Sequence, residues 1–199
     1  CIIYSPYFKK ISELVDAGAL GKVWWVRSIS KFELRLHEGK PGFREDPKQL
    51  GGGVFADTGP HEIEFQRKLI RDKAEEVFAY GDNINLKGRL GPGQEDNALV
   101  LIKFKGGQIG QSEVSYSTVV PGLTFRLEAF GTKGSITYPQ TFPSPIECYS
   151  LADIGYVAEK AEISKGLTFP LPEEYRVHGF YDMFVDFLDC IKKGKLSLI

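Results

Sequence analysis

The sequence predicts an α+β domain: an open, mixed but mostly antiparallel β-sheet with helices over one face. Three observations carry this. Helix-period apolar patterns stand at both ends of the chain and once near its first third, β-branched and aromatic runs fill the space between them, and glycine-bearing junctions join successive runs.

In SPYFKKISELVDAGALG, Ser5 is an N-cap, Pro6 the first helical residue, and Phe8, Ile11, Leu14 and Val15 keep helical register until Gly18 stops the helix. KVWWVRSISKFELRL then reads as a long strand, Val23 to Leu36. The Gly-, Pro- and charge-rich stretch from Glu38 to Gly53 is a loop leading to a helix over Val54 to Ile70. Strands follow: EEVFAYGDNI, ALVLIKF and QIGQSEVSY joined at Gly106-Gly107, LTFRLEAFG and SITYP joined at Thr132-Lys133-Gly134, and ECYSL at an edge. VAEKAEISKGLTFPLPEEY has no assignable period. HGFYDMFVDFLDCIKKGK closes the chain with Phe180, Phe184, Phe187, Leu188 and Ile191 at helical spacing, which predicts an amphipathic helix packed on the sheet. The sheet's second face is expected to carry aromatics such as Trp24, Tyr116 and Phe125 and to meet another subunit or domain.

With 199 residues, 42% of them hydrophobic, the chain can bury one core, and residues 1–199 are read as a single folded unit. A net charge of -1, from 25 Lys and Arg against 26 Asp and Glu, exerts no overall pull toward nucleic acid or an anionic membrane. A small molecule or another protein is the expected partner. Cys1, Cys148 and Cys190 form no CxxC pair, so a reducing cytoplasm is the expected location, and Cys148 and Cys190 read as buried, inert thiols. No apolar run approaches the ~20 residues that span a bilayer. The first residue is Cys1 and the one methionine is Met183, so the chain reads as a piece of a longer protein.

Chemistry concentrates in GGGVFADTGPHEIEFQRKLI. Asp57 and His61 lie four apart, on a helical row that continues through Phe65 and Leu69 into the core. A carboxylate beside an imidazole orients the ring and favours its charged form, which suits proton removal from a hydroxyl. Gly51, Gly52 and Gly53 allow close approach to a helix start whose free N–H groups carry partial positive charge. Other readings remain: Asp57 as a helix cap with Pro60 in the first turn, His61 as a structural histidine, or a metal site adding His37 or His178, although no HExxH or dense His/Cys cluster is present. The sequence has no GxSxG. GRLGPG at Gly88–Gly93 lacks the strand and helix that a dinucleotide turn needs, and Pro92 removes an N–H from it, so no cofactor-binding residues are assigned.

Taken together, the GALGKV helix end, the GGG-x3-D-x3-H segment, Glu95-Asp96-Asn97 before a strand, the Gly-Gly hairpin and the Gly-Thr-Lys-Gly turn resemble the C-terminal domain of the Gfo/Idh/MocA oxidoreductases, over almost the whole chain. The resemblance implies a glyceraldehyde-3-phosphate dehydrogenase-like C-terminal domain whose open sheet makes a homo-oligomer. It also implies a preceding Rossmann domain, absent here, that binds NAD or NADP and supplies a catalytic lysine; alone, this chain is expected to be inactive. It assigns Asp57 and His61 to the family's catalytic pair, with a sugar, polyol or related polyhydroxy compound as substrate. Arg44 matches an arginine shortly before the glycine run, and Arg44 and His178 are candidate substrate contacts. An NAD-dependent glycosidase and a non-catalytic sugar-sensing or assembly module are the alternatives.

Overall fold

The Ser5 hydroxyl oxygen accepts from the Phe8 N–H at 3.1 Å and Pro6 opens the first turn, so α1 runs over Pro6–Asp16. The computed structural model describes residues 2–34, 42–119, 124–140, 147–150 and 179–196. Its seven strands are β1 (Val23–Lys31), β2 (Ala74–Asp82), β3 (Asn97–Phe104), β4 (Ile109–Ser115), β5 (Thr124–Gly131), β6 (Gly134–Gln140) and β7 (Glu147–Ser150). They lie in the order β2-β3-β4-β1-β5-β6-β7. β1 and β4 run parallel and the other neighbours antiparallel, the open mixed sheet that the sequence predicts. Three further helices are α2 (Pro47–Leu50), α3 (Val54–Ile70) and α4 (Phe180–Lys193).

The two predicted hairpins form for identifiable reasons. Gly107 takes φ 82°, and its N–H donates to the Phe104 carbonyl at 2.8 Å to close the β3–β4 turn. The β5–β6 turn is braced from outside: Lys133 N–H donates to Leu20 O at 2.8 Å, and the Thr132 hydroxyl oxygen accepts from Lys22 N–H at 3.1 Å. A Cβ on Gly131 would stand 2.1 Å from Leu20 O, so only glycine lets the two connections interlock.

α1 and α3 cover one face. Val26, Val100, Ile102, Phe104, Phe125, Leu127, Ile136 and Tyr138 of the sheet pack there with Phe8, Ile11, Phe65 and Leu69 of the helices. Phe65 is the hinge of the packing, its ring 4.9 Å from Phe8 and 5.1 Å from Phe125. Where α3 crosses the parallel pair, the core turns polar. Gln66 donates to Ser112 at 2.8 Å, and the Ser30 hydroxyl donates to Glu62. Glu62 Oε2 and Gln66 Oε1 are buried with no hydrogen-bond partner among the described residues. Burial pushes the Glu62 carboxyl up to about 7, against the opposing pull of its serine neighbours.

Among the described residues the second face is open. At its centre Arg27 bridges Glu113 (2.5 Å) and Glu128 (3.3 Å), while Lys31 reaches Glu113 and Arg126 reaches Glu128. Phe78, Tyr80, Leu99 and Ile109 lie exposed on the strands to one side.

Several expectations are corrected. Of the aromatics assigned to the open face, only Trp24 is exposed; Phe125 shares strand parity with buried Leu127 and Ala129, and Tyr116 lies past the end of β4 against Phe32. β1 ends at Lys31 rather than Leu36, because beyond it pairing is reduced to single contacts such as Leu34 N–H to Tyr116 O at 2.7 Å. α4 does not pack its apolar stripe on the sheet. It meets the start of the chain instead, with Tyr4 Oη donating to Asp186 at 2.9 Å and Lys9 paired with Asp182. Cys190 is buried as expected. VAEKAEISKGLTFPLPEEY, His37, His178, Cys1 and the Cys148 side chain lie outside the described residues. Among the described residues, no helix is long and apolar enough to cross a membrane.

Glu62 makes stability depend on pH with a definite sign. Its folded value, about 7, lies above the ordinary 4.5, so stability is full below pH 4.5 and declines as pH rises to about 7. Urea unfolding across that window should show a loss of about 3 kcal/mol that Glu62→Gln abolishes. An unchanged pH profile in Glu62→Gln would mean that the carboxyl is not held protonated.

Candidate functional site

α3 begins where another strand's lead-in caps it. Glu95 Oε2 accepts from Gly53 N–H at 3.0 Å, Oε1 accepts from Phe55 N–H at 2.8 Å, and the Glu95 carbonyl accepts from Val54 N–H at 2.9 Å. A Cβ on Gly53 would fall 2.1 Å from the Glu95 carbonyl oxygen, so glycine there serves the approach of Glu95. The close approach to the helix start that the glycine run allows is made by the chain itself, through the backbone and carboxylate of Glu95. Gly51 holds φ 84° at the end of α2.

The residues flanking Glu95 fasten the rest. Gln94 Nε2 donates to the carbonyls of Arg44 and Gly52, each at 2.8 Å. Asp96 accepts from the N–H groups of Ile84 (2.7 Å), Asn85 (2.9 Å) and Leu86 (2.9 Å) and from Asn97 Nδ2 (2.8 Å). Burial opposes the Asp96 charge, but these donors outweigh it and hold the carboxyl below the usual carboxylate range.

On this fixed start Asp57 stands in the first turn of α3. Arg44, from a 3-10 turn at Phe43–Glu45, donates through Nε to Asp57 Oδ2 at 2.7 Å, and Tyr116 Oη donates to the same oxygen at 2.9 Å. Nη2 of Arg44 approaches Oδ1 at 3.5 Å, which makes the grip two-pronged. The Asp57 carboxylate therefore accepts from side chains, not from helix N–H groups, and the capping reading is set aside. The helix also starts early enough to leave Pro60 in its second turn. Burial first, and then the charge of Asp57, push the Tyr116 phenol far above its ordinary range, so it remains a donor. For Arg44, burial works against the charge and Asp57 more than offsets it, leaving the guanidinium above its ordinary value. Arg44 also stacks on Phe43, 4.5 Å from the ring centre.

His61 follows one turn later on the predicted row, half-buried, with Phe65 and Leu69 buried below it. It makes no hydrogen bond to Asp57, whose carboxylate is turned to Arg44 and Tyr116. Burial lowers the imidazole below its ordinary 6.5, while Asp57 pulls it upward. The ring is therefore neutral at neutral pH, opposite to the charged form that the spacing suggests, and neutral imidazole is the form that accepts a proton.

The structure thus brings Arg44, Asp57 and His61 together. His178 and His37 lie outside the described residues, and among the described residues no group of three or more His, Cys, Asp or Glu could hold a metal ion. Arg44, with its side chain 38% exposed against 15% for Asp57, pairs with Asp57 and still presents its outer edge. Sequence reasoning missed Tyr116, Gln94 and the capping role of Glu95. The Gln-Glu-Asp-Asn run signalled Gln94 and Glu95, through its density of polar groups ahead of a strand, and nothing in the sequence signalled Tyr116. A hollow of about 310 Å³ on the open sheet face, lined by Tyr80, Leu99 and Glu113 among others, is separate from this constellation.

A sequence model of the GFO/IDH/MocA C-terminal domain matches residues 8–137, which include Arg44, Asp57, His61 and Tyr116. Myo-inositol 2-dehydrogenase of Thermotoga maritima is 33% identical over 130 residues, covering 65% of this chain and 36% of that protein. The scyllo-inositol 2-dehydrogenase (NAD(+)) of Bacillus subtilis is 24% identical, covering 98% of this chain and 52% of that protein. The crystal structure of GenD2, from gentamicin A biosynthesis, in complex with NAD superposes with a TM-score of 0.74 at 25% identity, covering 100% of this chain and 54% of that one. The chain thus spans between about a third and a half of these proteins.

Two measurements test this geometry. Glu95→Ala, which strips the cap from α3, should cost about 1–2 kcal/mol in urea unfolding; a loss within error of zero would mean that the helix start does not depend on it. The His61 imidazole, followed by NMR, should titrate below 6.5, and lower still in Asp57→Asn, because the carboxylate raises it. A rise on that substitution would contradict the arrangement.

Proposed function

The chain belongs to the GFO/IDH/MocA family, as its C-terminal domain, and from that premise we propose that it is the substrate-binding half of an NAD(P)-dependent oxidoreductase acting on a polyol or sugar-like alcohol. One observation carries the reading. A half-buried imidazole, held neutral, stands one turn above a carboxylate that Arg44 and Tyr116 fix in place.

Oxidising a secondary alcohol to a ketone removes a hydride from carbon and a proton from oxygen. The hydride acceptor implied by the inositol dehydrogenases and by GenD2 is NAD. Among the described residues the N-terminus of α3 is filled by Glu95, and the sequence has no dinucleotide turn to hold its pyrophosphate. A nucleotide-binding domain preceding residue 1 is therefore part of the proposal.

The part played by this chain is the proton. His61 takes it from the substrate hydroxyl, and the imidazolium so formed is stabilised by Asp57. Arg44 and Tyr116 keep that carboxylate aimed through the cycle. The outer guanidinium edge of Arg44 donates to neighbouring hydroxyls, which suits a polyhydroxy compound. The open face of the sheet, with its alternating Arg27, Glu113 and Glu128 and exposed Phe78 and Tyr80, is self-complementary in character and suits contact with a second copy.

In the full-length protein, with a panel of inositols and sugars and NADH formation as the readout, His61→Ala should lower kcat/KM by about 10²–10⁴ and leave NADH affinity unchanged. Wild-type kcat/KM for oxidation should rise with pH through a value below 6.5, where His61 loses its proton. Undiminished turnover in His61→Ala would sink the assignment; sugar release without net NADH formation would point to glycoside cleavage.

A further inference from the structure

Tyr116 puts a hydroxyl where packing asks for none. Its ring is fully buried, 5.2 Å from Phe32 and in a cluster with Val54, Leu86, Leu90 and Val114. Its backbone is tied on both sides, the N–H donating to Asp96 O at 2.8 Å and the carbonyl accepting from Leu34 N–H at 2.7 Å. Phenylalanine would fill that apolar pocket as well; the hydroxyl donates to Asp57 Oδ2 at 2.9 Å. Arg44 Nε donates to the same oxygen at 2.7 Å, while Oδ1 has the 3.5 Å approach of Nη2. His61 stands four residues after Asp57, where a carboxylate and an imidazole on one helix face can bond, yet the carboxylate is turned from it. We propose that Tyr116 is a positioning residue that sets the proton affinity of His61 by holding the Asp57 carboxylate off the ring, an inference that rests on the function proposed above.

Tyr116 is the fixed member of the two donors. Arg44 reaches Asp57 by a long, 38% exposed side chain from a short turn, whereas the phenol is carried on a rigid ring closed in on all sides. Burial, and then Asp57, keep the phenol protonated, so its grip does not lapse while the imidazole titrates. Without the hydroxyl, Oδ2 loses a donor in a place where the Asp57 side chain is 15% exposed, and the imidazole one turn on can supply the replacement. A ring bonded to a carboxylate holds its proton more tightly. Charged before the substrate arrives, it cannot accept the substrate's proton.

Few other charges act on the ring. Burial lowers it first, the amino group that opens the chain lowers it further, and Asp57 raises it. On α3 itself, Glu62 turns to Ser30 in the seam and Glu64 pairs with Arg67 and Lys68. The helix-side residues of the strands beneath, Ser28 and Ser30 of β1 with Ser112 and Val114 of β4, are uncharged. Ahead of and along α1, Tyr4 donates to Asp186 and Lys9 pairs with Asp182. Among the described residues, control of the imidazole therefore falls to the orientation of Asp57, and through it to Tyr116.

The test follows the His61 imidazole by NMR in the full-length protein carrying Tyr116→Phe, which keeps the ring. We expect its titration to move upward from the wild-type value, and not to move when the same change is made in an Asp57→Asn background. The rising limb of the kcat/KM profile, on the best substrate of the inositol and sugar panel, should follow, so that activity at about pH 6 relative to each enzyme's own plateau falls about tenfold. Arg44→Gln, on the exposed turn, should move the ring in the same direction, which keeps the competition for Asp57 testable should Tyr116→Phe fail to fold. A His61 titration unchanged or lowered in either variant overturns the inference, as does an equal rise in the Asp57→Asn background, which would trace the effect to packing. A titration that rises while no limb of the kcat/KM profile follows it upholds the hold of Tyr116 on the ring and overturns the function on which the inference rests.

Discussion

The carboxylate of Glu95 against the first turn of α3 is the interaction on which the site depends. Four N–H groups at a helix start have no partner within the helix, and here the carboxylate takes two of them while the neighbouring carbonyl takes a third. Gly53 is the complement of that contact, since any side chain there would collide with the Glu95 backbone. With its start fixed, α3 presents Asp57 and His61 at one end and buries Phe65 and Leu69 at the other, so one helix joins the chemistry to the core.

The electrostatics form a graded chain. Arg44 and Tyr116 both donate to Asp57, which satisfies the carboxylate and offsets part of its charge. His61, farther along and more shielded, feels that field but is dominated by burial. The proton acceptor proposed for this site, neutral at rest and stabilised once charged, needs this division: a direct hydrogen bond from the ring to Asp57 would favour the charged form before any substrate arrived. Beside His61 on the helix, Glu62 is buried so deeply that its carboxyl is pushed up to about 7 despite the pull of its serine neighbours.

The sheet divides the molecule by function. Its helix-covered face is an apolar core with a thin polar seam, where α1 packs on α3. Its open face carries a lattice of salt bridges with aromatic and aliphatic residues beside it, a composition that tolerates water and suits a partly polar interface.

What the sequence determined by itself is local. The Ser5 cap, the α3 boundaries, the Gly106-Gly107 and Thr132-Lys133-Gly134 turns, and the shared row of Asp57 and His61 are all set within a few residues, where helical and strand periods apply. Tertiary structure decided the partners. Tyr116 reaches Asp57 from 59 residues away and Glu95 reaches Gly53 from 42, because β1 pairs with β4 rather than with its sequence neighbour β2. The same holds for α4, whose period announces an apolar stripe but cannot say which body it meets. Periodicity reports the relation of a residue to its own element, whereas charge state, burial and docking depend on which elements the sheet order brings together.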